Sequence, residues 1–376
     1  MLMLTIAAVL AIFVYGMIAA MLGTILPDLS KKFSLSPKQN GTIAMGQAIG
    51  LMIGSFLAGP LMDMQGVKAG LLLGLALVAA ALLGLKTSKG YLMVAAFMVM
   101  LGIGGGAIVN GANGLPPFIK LEALTTAGMF NVLNLFFGLG GLVTPLVAAR
   151  LFQNNSSKLL LFAATITAAT LAMSVVTEMP APSGKVAFDT SAVGSLIGQP
   201  ALLLLSLTLF LYVACEVGVW NWLVRHLIAQ GVAESKALTI LSLGFALGLL
   251  VGRVAVSPVL SSVAPERVLV GAALLMAVTT YMVLRSSSPS AAQGLVFLAG
   301  IAMAPVFPTT LAIVSARFTG MAATATGIAL TAGWLGLVVS SPIIGGIAGD
   351  DPKGLKKALL LLPVASVIMA AVCMAL

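Results

Sequence analysis

Glu216 is a carboxylate in an unexpected place. It stands in Tyr212-Val213-Ala214-Cys215-Glu216-Val217-Gly218-Val219-Trp220-Asn221-Trp222, inside an apolar run long enough to cross a bilayer. A charge at membrane depth is costly, so an acid there is a functional candidate. A carboxyl shielded from water can accept a proton in one conformation and release it in another, which coupling a solute to a proton requires. As an anion among carbonyls it could instead help to hold Na⁺, and a structural acid bonded to a neighbouring helix is the plainer alternative. Amides form the second group. Asn110 and Asn113 stand three apart, as do Asn131 and Asn134, so each pair shares a helix face. An amide both donates and accepts, which suits a neutral polyol such as a sugar. Tyr15, Tyr212, Trp220 and Trp334 offer ring faces to a pyranose, and Gln47, Asn221 and Thr309 complete a candidate polar lining. The same amides could simply join helices.

Conventional catalytic or metal chemistry has little to work with. There is one histidine, His226, read as a loop residue at a span end, and the two cysteines, Cys215 and Cys373, both lie in apolar runs. No cofactor is expected beyond a coupling ion, H⁺ or alternatively Na⁺.

The elements that must carry these residues follow from composition. The chain has 376 residues, 60% hydrophobic and 8% charged, with mean hydropathy +1.15. A soluble domain carries about 25% charged residues. Soluble enzymes, nucleic-acid readers and disordered scaffolds are therefore excluded. Reading for runs of about 20 apolar residues gives twelve spans, near 3–27, 40–62, 69–86, 91–115, 124–149, 158–177, 200–223, 236–257, 267–285, 291–314, 321–348 and 356–375. The runs are continuously apolar, so they read as helices and not as barrel strands. The N-terminal run lacks a basic flank and reads as a retained helix. The longer gap 178–199 holds Pro180, Pro182, Ser183, Gly184 and Lys185, and separates an N-terminal bundle, 1–177, from a C-terminal bundle, 200–376.

The halves repeat. A shift of 198 residues lays Gly46, Gly50 and Gly54 on Gly244, Gly248 and Gly252, and Pro60 on Pro258. A shift of 197 lays Phe13 and Tyr15 on Phe210 and Tyr212, and Pro145 on Pro342. The glycines, four apart, line one helix face and allow close packing. The expected fold is an all-α integral membrane protein, with twelve transmembrane helices in two pseudo-symmetric six-helix bundles.

The loop Gly59-Pro60-Leu61-Met62-Asp63-Met64-Gln65-Gly66-Val67-Lys68 resembles the major facilitator signature G-x-L-x-D-x-x-G-x-K, with Met64 and Val67 where that motif often carries basic residues. The resemblance implies that Gly59, Asp63, Gly66 and Lys68 clamp neighbouring helix ends and bias alternating access, without touching substrate. Three more segments, the one around Glu216, Ala304-Pro305-Val306-Phe307-Pro308-Thr309, and Asn134-Leu135-Phe136-Phe137-Gly138, look like the fucose/glucose:proton symporter branch. That likeness implies import of a monosaccharide with H⁺ by rocker-switch alternating access, substrate being held between the two halves. The sequence departs from the branch where its fucose permeases carry acids. Leu22-Gly23-Thr24 in the first span and Ala107 to Asn113 in the fourth contain none.

The rival readings are a proton-driven exporter of drugs or metabolites and a non-transporting receptor or scaffold. The eleventh span's Pro342-Ile343-Ile344-Gly345-Gly346 suits the exporter, but the fourth span has no arginine. A monomer in the inner membrane is expected, partnered by lipid and a small solute but by no nucleic acid. The resemblance puts both termini in the cytoplasm, although loop charges argue otherwise. On that orientation the external loops hold the larger share of the 19 Lys and Arg, against the positive-inside tendency.

Overall fold

The computed structural model describes residues 1–181, 190–286, 288–349 and 352–376. Every regular element among them is helical, and twelve helices are long and apolar enough to cross a membrane. The first runs from Leu2 to Phe33, passes through Pro27, and stops where Ser34 turns left-handed at φ 51°. The second, Pro37–Gln65, starts at a capping box. Ser36 Oγ accepts the Gln39 N–H at 3.3 Å, and Gln39 Oε1 accepts the Ser36 N–H at 2.8 Å. The third to sixth spans are Val67–Thr87, Tyr91–Asn113 (with a following turn at Pro116–Phe118), Thr126–Arg150 and Ser156–Val176. Within the expected linker a short helix forms at Thr190–Ile197, while 182–189 lie outside the described residues.

The seventh span is Pro200–Ala229. The eighth covers Glu234–Val259 and is wound as a π-helix over Ile240–Ala246. The ninth is Pro265–Arg285. The tenth is made of Pro289–Met303 and Val306–Arg317, separated at Pro305, which has no N–H to continue the ladder. The eleventh is Ala322–Ala348, and the twelfth pairs an amphipathic lead, Pro352–Leu359, with Leu361–Met374.

Two compact units emerge. The first comprises Met1–Lys120, Leu133–Ile197 and Ser315–Thr331, the second Leu121–Val132, Gly198–Val314 and Ala332–Leu376. In the first unit the second and fourth spans meet at backbone distance. A Cβ added at Gly54 would lie 2.0 Å from the Ile103 carbonyl oxygen. In the second unit the repeated pattern does the same for the eighth and tenth spans, where a Cβ at Gly248 would lie 2.3 Å from the Phe297 oxygen. Lipid gives little hydrophobic drive for helices to associate, so this close van der Waals contact is what joins them.

Candidate solute-transport site

In the first unit the motif loop holds helix ends. Asp63 stands nine residues, about two and a half turns, beyond Gly54 of the second span's packed glycines. Its Oδ1 accepts the Ala323 N–H at 3.1 Å, and its Oδ2 accepts the Thr324 N–H at 2.8 Å and the Thr324 hydroxyl at 2.5 Å. These are opening amides of the eleventh span, which have no intrahelical partner, so the carboxylate caps that helix and complements its dipole. Gly59 makes the approach possible, since a Cβ there would lie 2.6 Å from Thr324 Cα. Gly66, at φ 89°, turns the chain into the third span. Lys68 Nζ donates to the Val175 and Thr177 carbonyls at 2.6 and 2.9 Å, satisfying the end of the sixth span. All four motif residues therefore contribute to one junction of helix ends.

Asn110 adds to it. Its Nδ2 donates to the Ser55 and Ala323 carbonyls, both at 3.1 Å, and its side chain is buried. Deeper in the same unit, Asn134 Nδ2 donates to Asn113 Oδ1 at 2.8 Å, and Asn113 Nδ2 donates to its own helix at Val109. Gln47 donates to the Ile18 carbonyl at 3.3 Å, and Tyr15 stacks on Phe137 with centroids 5.2 Å apart. In this conformation the amides of the first unit thus join helix to helix and do not open onto a polar lining.

The second unit gathers the other candidates. Asn131 Nδ2 donates to Thr309 Oγ1 at 3.1 Å, joining two residues that lie far apart in sequence. Tyr212 is fully buried and leads an aromatic run, with Phe307 at 6.4 Å and Trp334 a further 6.3 Å from Phe307. One turn along from Tyr212 stands Glu216, half-buried, and Arg253 of the eighth span is near enough to act on the same tyrosine. Tyr212 feels both charges, although its hydroxyl makes no hydrogen bond of good geometry. Asn131 Oδ1 is likewise a buried acceptor without a bonded partner, which is uncommon for buried polar atoms. Trp220 and Asn221 make separate contacts. Trp220 is 39% exposed and meets Phe245 edge-on at 5.3 Å, while Asn221 donates to Ser341 Oγ at 2.7 Å.

Four participants lie outside the candidate residues read from sequence. Arg253 stands near the end of the 236–257 apolar run, a position from which an arginine can snorkel, yet it is 3% exposed. A lone guanidinium one residue after a Gly-x-x-x-Gly pair was the available signal, because that pair fixes the face turned inward. Phe137 and Phe307 were visible as the aromatic positions of two quoted motifs. Thr324 was visible only as a small polar residue at a helix start.

The comparisons with known proteins agree with this architecture. The Major Facilitator Superfamily model matches residues 8–341. Among curated relatives, protein TsgA of Escherichia coli O157:H7 is 23% identical over 336 residues, covering 88% of this chain and 84% of that protein. Among solved structures, the E. coli fucose:proton symporter FucP superposes with TM-score 0.84 at 17% identity, over 99% of this chain and 98% of that one. The human organic anion transporter MFSD10 superposes with TM-score 0.81 at 16% identity, over 99% of both.

Proposed function

The chain belongs to the Major Facilitator Superfamily, a family of transporters and not of enzymes, and from that premise we propose that it imports a monosaccharide by proton-coupled symport with alternating access. The observation that carries the reading is Glu216, an acid within a membrane span, set beside a buried aromatic run. Tyr212, Phe307 and Trp334 are suited to the C–H face of a pyranose. Asn131 Oδ1 and the Tyr212 oxygen are unfilled hydrogen-bond positions in the same unit, each able to accept a solute hydroxyl. The likeness to a fucose:proton symporter supports the same choice. Glu216 takes the coupling proton, and release of that proton on the other face drives accumulation. H⁺ is preferred to Na⁺ because one carboxylate supplies too few oxygens for a cation, and the guanidinium that acts on the same tyrosine would repel one. We place the protein in the inner membrane as a monomer, with both termini in the cytoplasm.

Uptake of labelled hexoses into proteoliposomes, under an imposed pH or Na⁺ gradient, tests the reading. Accumulation should follow the pH gradient. Glu216→Gln should abolish that accumulation while leaving sugar-for-sugar exchange. Lack of uptake or competition by any monosaccharide overturns the sugar, and undiminished pH-driven uptake by the variant overturns Glu216.

A further inference from the structure

We propose that the second unit binds an anionic phospholipid at the membrane face where the seventh, ninth and eleventh spans end. Lysines on the lead of the twelfth span hold the headgroup, and an apolar crevice beside that lead takes the start of one acyl chain. The site is separate from the solute and does not depend on its identity.

The crevice is the first reason. Leu223, Val283, Leu284, Val296, Leu359 and Leu362 form most of its wall. They stand toward the ends of the seventh and ninth spans and the beginnings of the tenth and twelfth, so the crevice lies near one membrane surface. The hydroxyl of the lining residue Thr280 donates back to the Met276 carbonyl at 2.6 Å. Such a lining suits hydrocarbon and not a polyol. Leu360 and Leu361, which follow Leu359, are each 38% exposed, so the apolar wall continues onto the outer flank of the unit.

The lead helix, Pro352–Leu359, is the second reason. Leu355, Ala358 and Leu359 are buried, whereas Lys356 and Lys357 are exposed. A short helix with one apolar and one basic face lies along the headgroup layer, and lysines there attract anionic headgroups. The chain entering it is held in place. Arg225 Nη2 donates to the Gly349 carbonyl at 3.3 Å, with its guanidinium 5.6 Å from the Trp222 ring, a cation and an indole of the sort that occupies the interface. At this end of the second unit the sequence places Arg225, Lys236, Arg285, Lys353, Lys356 and Lys357 against Glu234, Asp350 and Asp351, so positive charge prevails. Asp350 and Asp351 lie outside the described residues.

The repeat is the third reason. At the shift of 197 that lays Pro145 on Pro342, Lys356 and Lys357 fall on Leu159 and Leu160, each 1% exposed. The sixth span has no lead and starts directly at its cap, where Asn155 Oδ1 accepts the Lys158 N–H at 3.0 Å. Packing of the repeat therefore does not require the two lysines, which belong to the second unit alone. With both termini in the cytoplasm, they meet the outer leaflet.

The test uses the full chain purified in detergent, with dioleoyl phosphatidylglycerol and dioleoyl phosphatidylcholine as probes and native mass spectrometry to count bound lipid. Phosphatidylglycerol should be held at least about tenfold more tightly than phosphatidylcholine. Lys356→Gln and Lys357→Gln should each weaken phosphatidylglycerol by about fivefold, the scale of one basic residue at an anionic surface, and leave phosphatidylcholine unchanged. Leu359→Trp should fill the crevice and weaken both lipids. Glycerol 1-phosphate, the same headgroup chemistry without chains, should raise the apparent Tm far less than phosphatidylglycerol does. Equal retention of the two lipids overturns the headgroup assignment, and a preference that survives both lysine substitutions overturns its location. Equal stabilisation by glycerol 1-phosphate makes this a site for a free phosphoester, and a mass of two chains in place of one chain with lipid makes the face a contact between copies. Unchanged retention in Leu359→Trp overturns the crevice. If that variant fails to fold, the lysine variants, which alter exposed side chains only, decide.

Discussion

Asp63 shows how much of a site one residue can organise. Its carboxylate bonds two backbone amides and a hydroxyl at the start of the eleventh span, and none of these partners is a solute. Asp63→Asn preserves the shape and removes the charge that strengthens the bonds, a loss of about 1–3 kcal/mol. The expected outcome is a transport rate lowered severalfold with KM nearly unchanged, measured by initial uptake rates across substrate concentrations. A shifted KM at constant rate would place Asp63 in the binding site. The loop that holds Asp63 was legible in sequence because its chemistry is local, a few residues of glycine, acid and lysine. Its partner Thr324 was not, since nothing in a linear pattern ties positions 63 and 324. The burial of Arg253 was illegible for a related reason. Hydropathy registers that a charge is present but not which side chains surround it.

At the level of helices, the glycines carry the argument. The second and fourth spans touch through backbone, and a Cβ on Gly54 would sit 2.0 Å from a carbonyl oxygen. Gly54→Val therefore forces the helices apart and forfeits much of the dispersion contact that joins them, an overpacking cost of about 1–3 kcal/mol or more. The expected result is a lower apparent Tm in detergent and poor yield of folded protein. Gly23, which has open space around its Cβ position, should accept alanine with no comparable loss. Equal tolerance at the two positions, read by thermal denaturation with a thiol-reactive dye, would refute the packing account. This layer was readable from the sequence, because spacing by four residues is itself a helix-face statement. The helix ends were less so. Polar residues such as Asp28, Ser30, Lys31 and Lys32 lie beyond the apolar run, yet the first helix continues to Phe33, because backbone hydrogen bonding continues where hydropathy stops. Pro305 ended one helical piece and Val306 began the next, a break that the continuous apolar run concealed.

For the whole molecule, what the composition determined was a multi-pass membrane protein, and the described residues supply its twelve spans. Scarcity of charge alone was enough for that, since 8% charged residues cannot coat a water-facing surface. Orientation was harder, because two signals oppose each other. The Asp63 loop implies cytoplasmic termini, while the loop lysines and arginines favour the reverse. A small epitope tag at each terminus, probed in intact and in permeabilised cells, decides between them. We expect both tags to be reached only after permeabilisation.

The π-wound stretch at Ile240–Ala246 bears on the gene as well as on the helix. Such a widened turn is how a helix stores one surplus residue without disturbing the turns beyond it. The shift between the repeats is 197 at Tyr212, 198 from Gly244 to Pro258, and 197 again at Pro342, so the surplus residue is confined to the middle of the second half, where the π-wound stretch lies. Removing a codon within that stretch would let the helix close to ordinary pitch and leave Arg253 on its present face. Removing one between Leu247 and Gly252, where no slack is stored, would turn the guanidinium by about 100° away from Tyr212. The reading frame thus has a tolerant window next to an intolerant one, within a single helix.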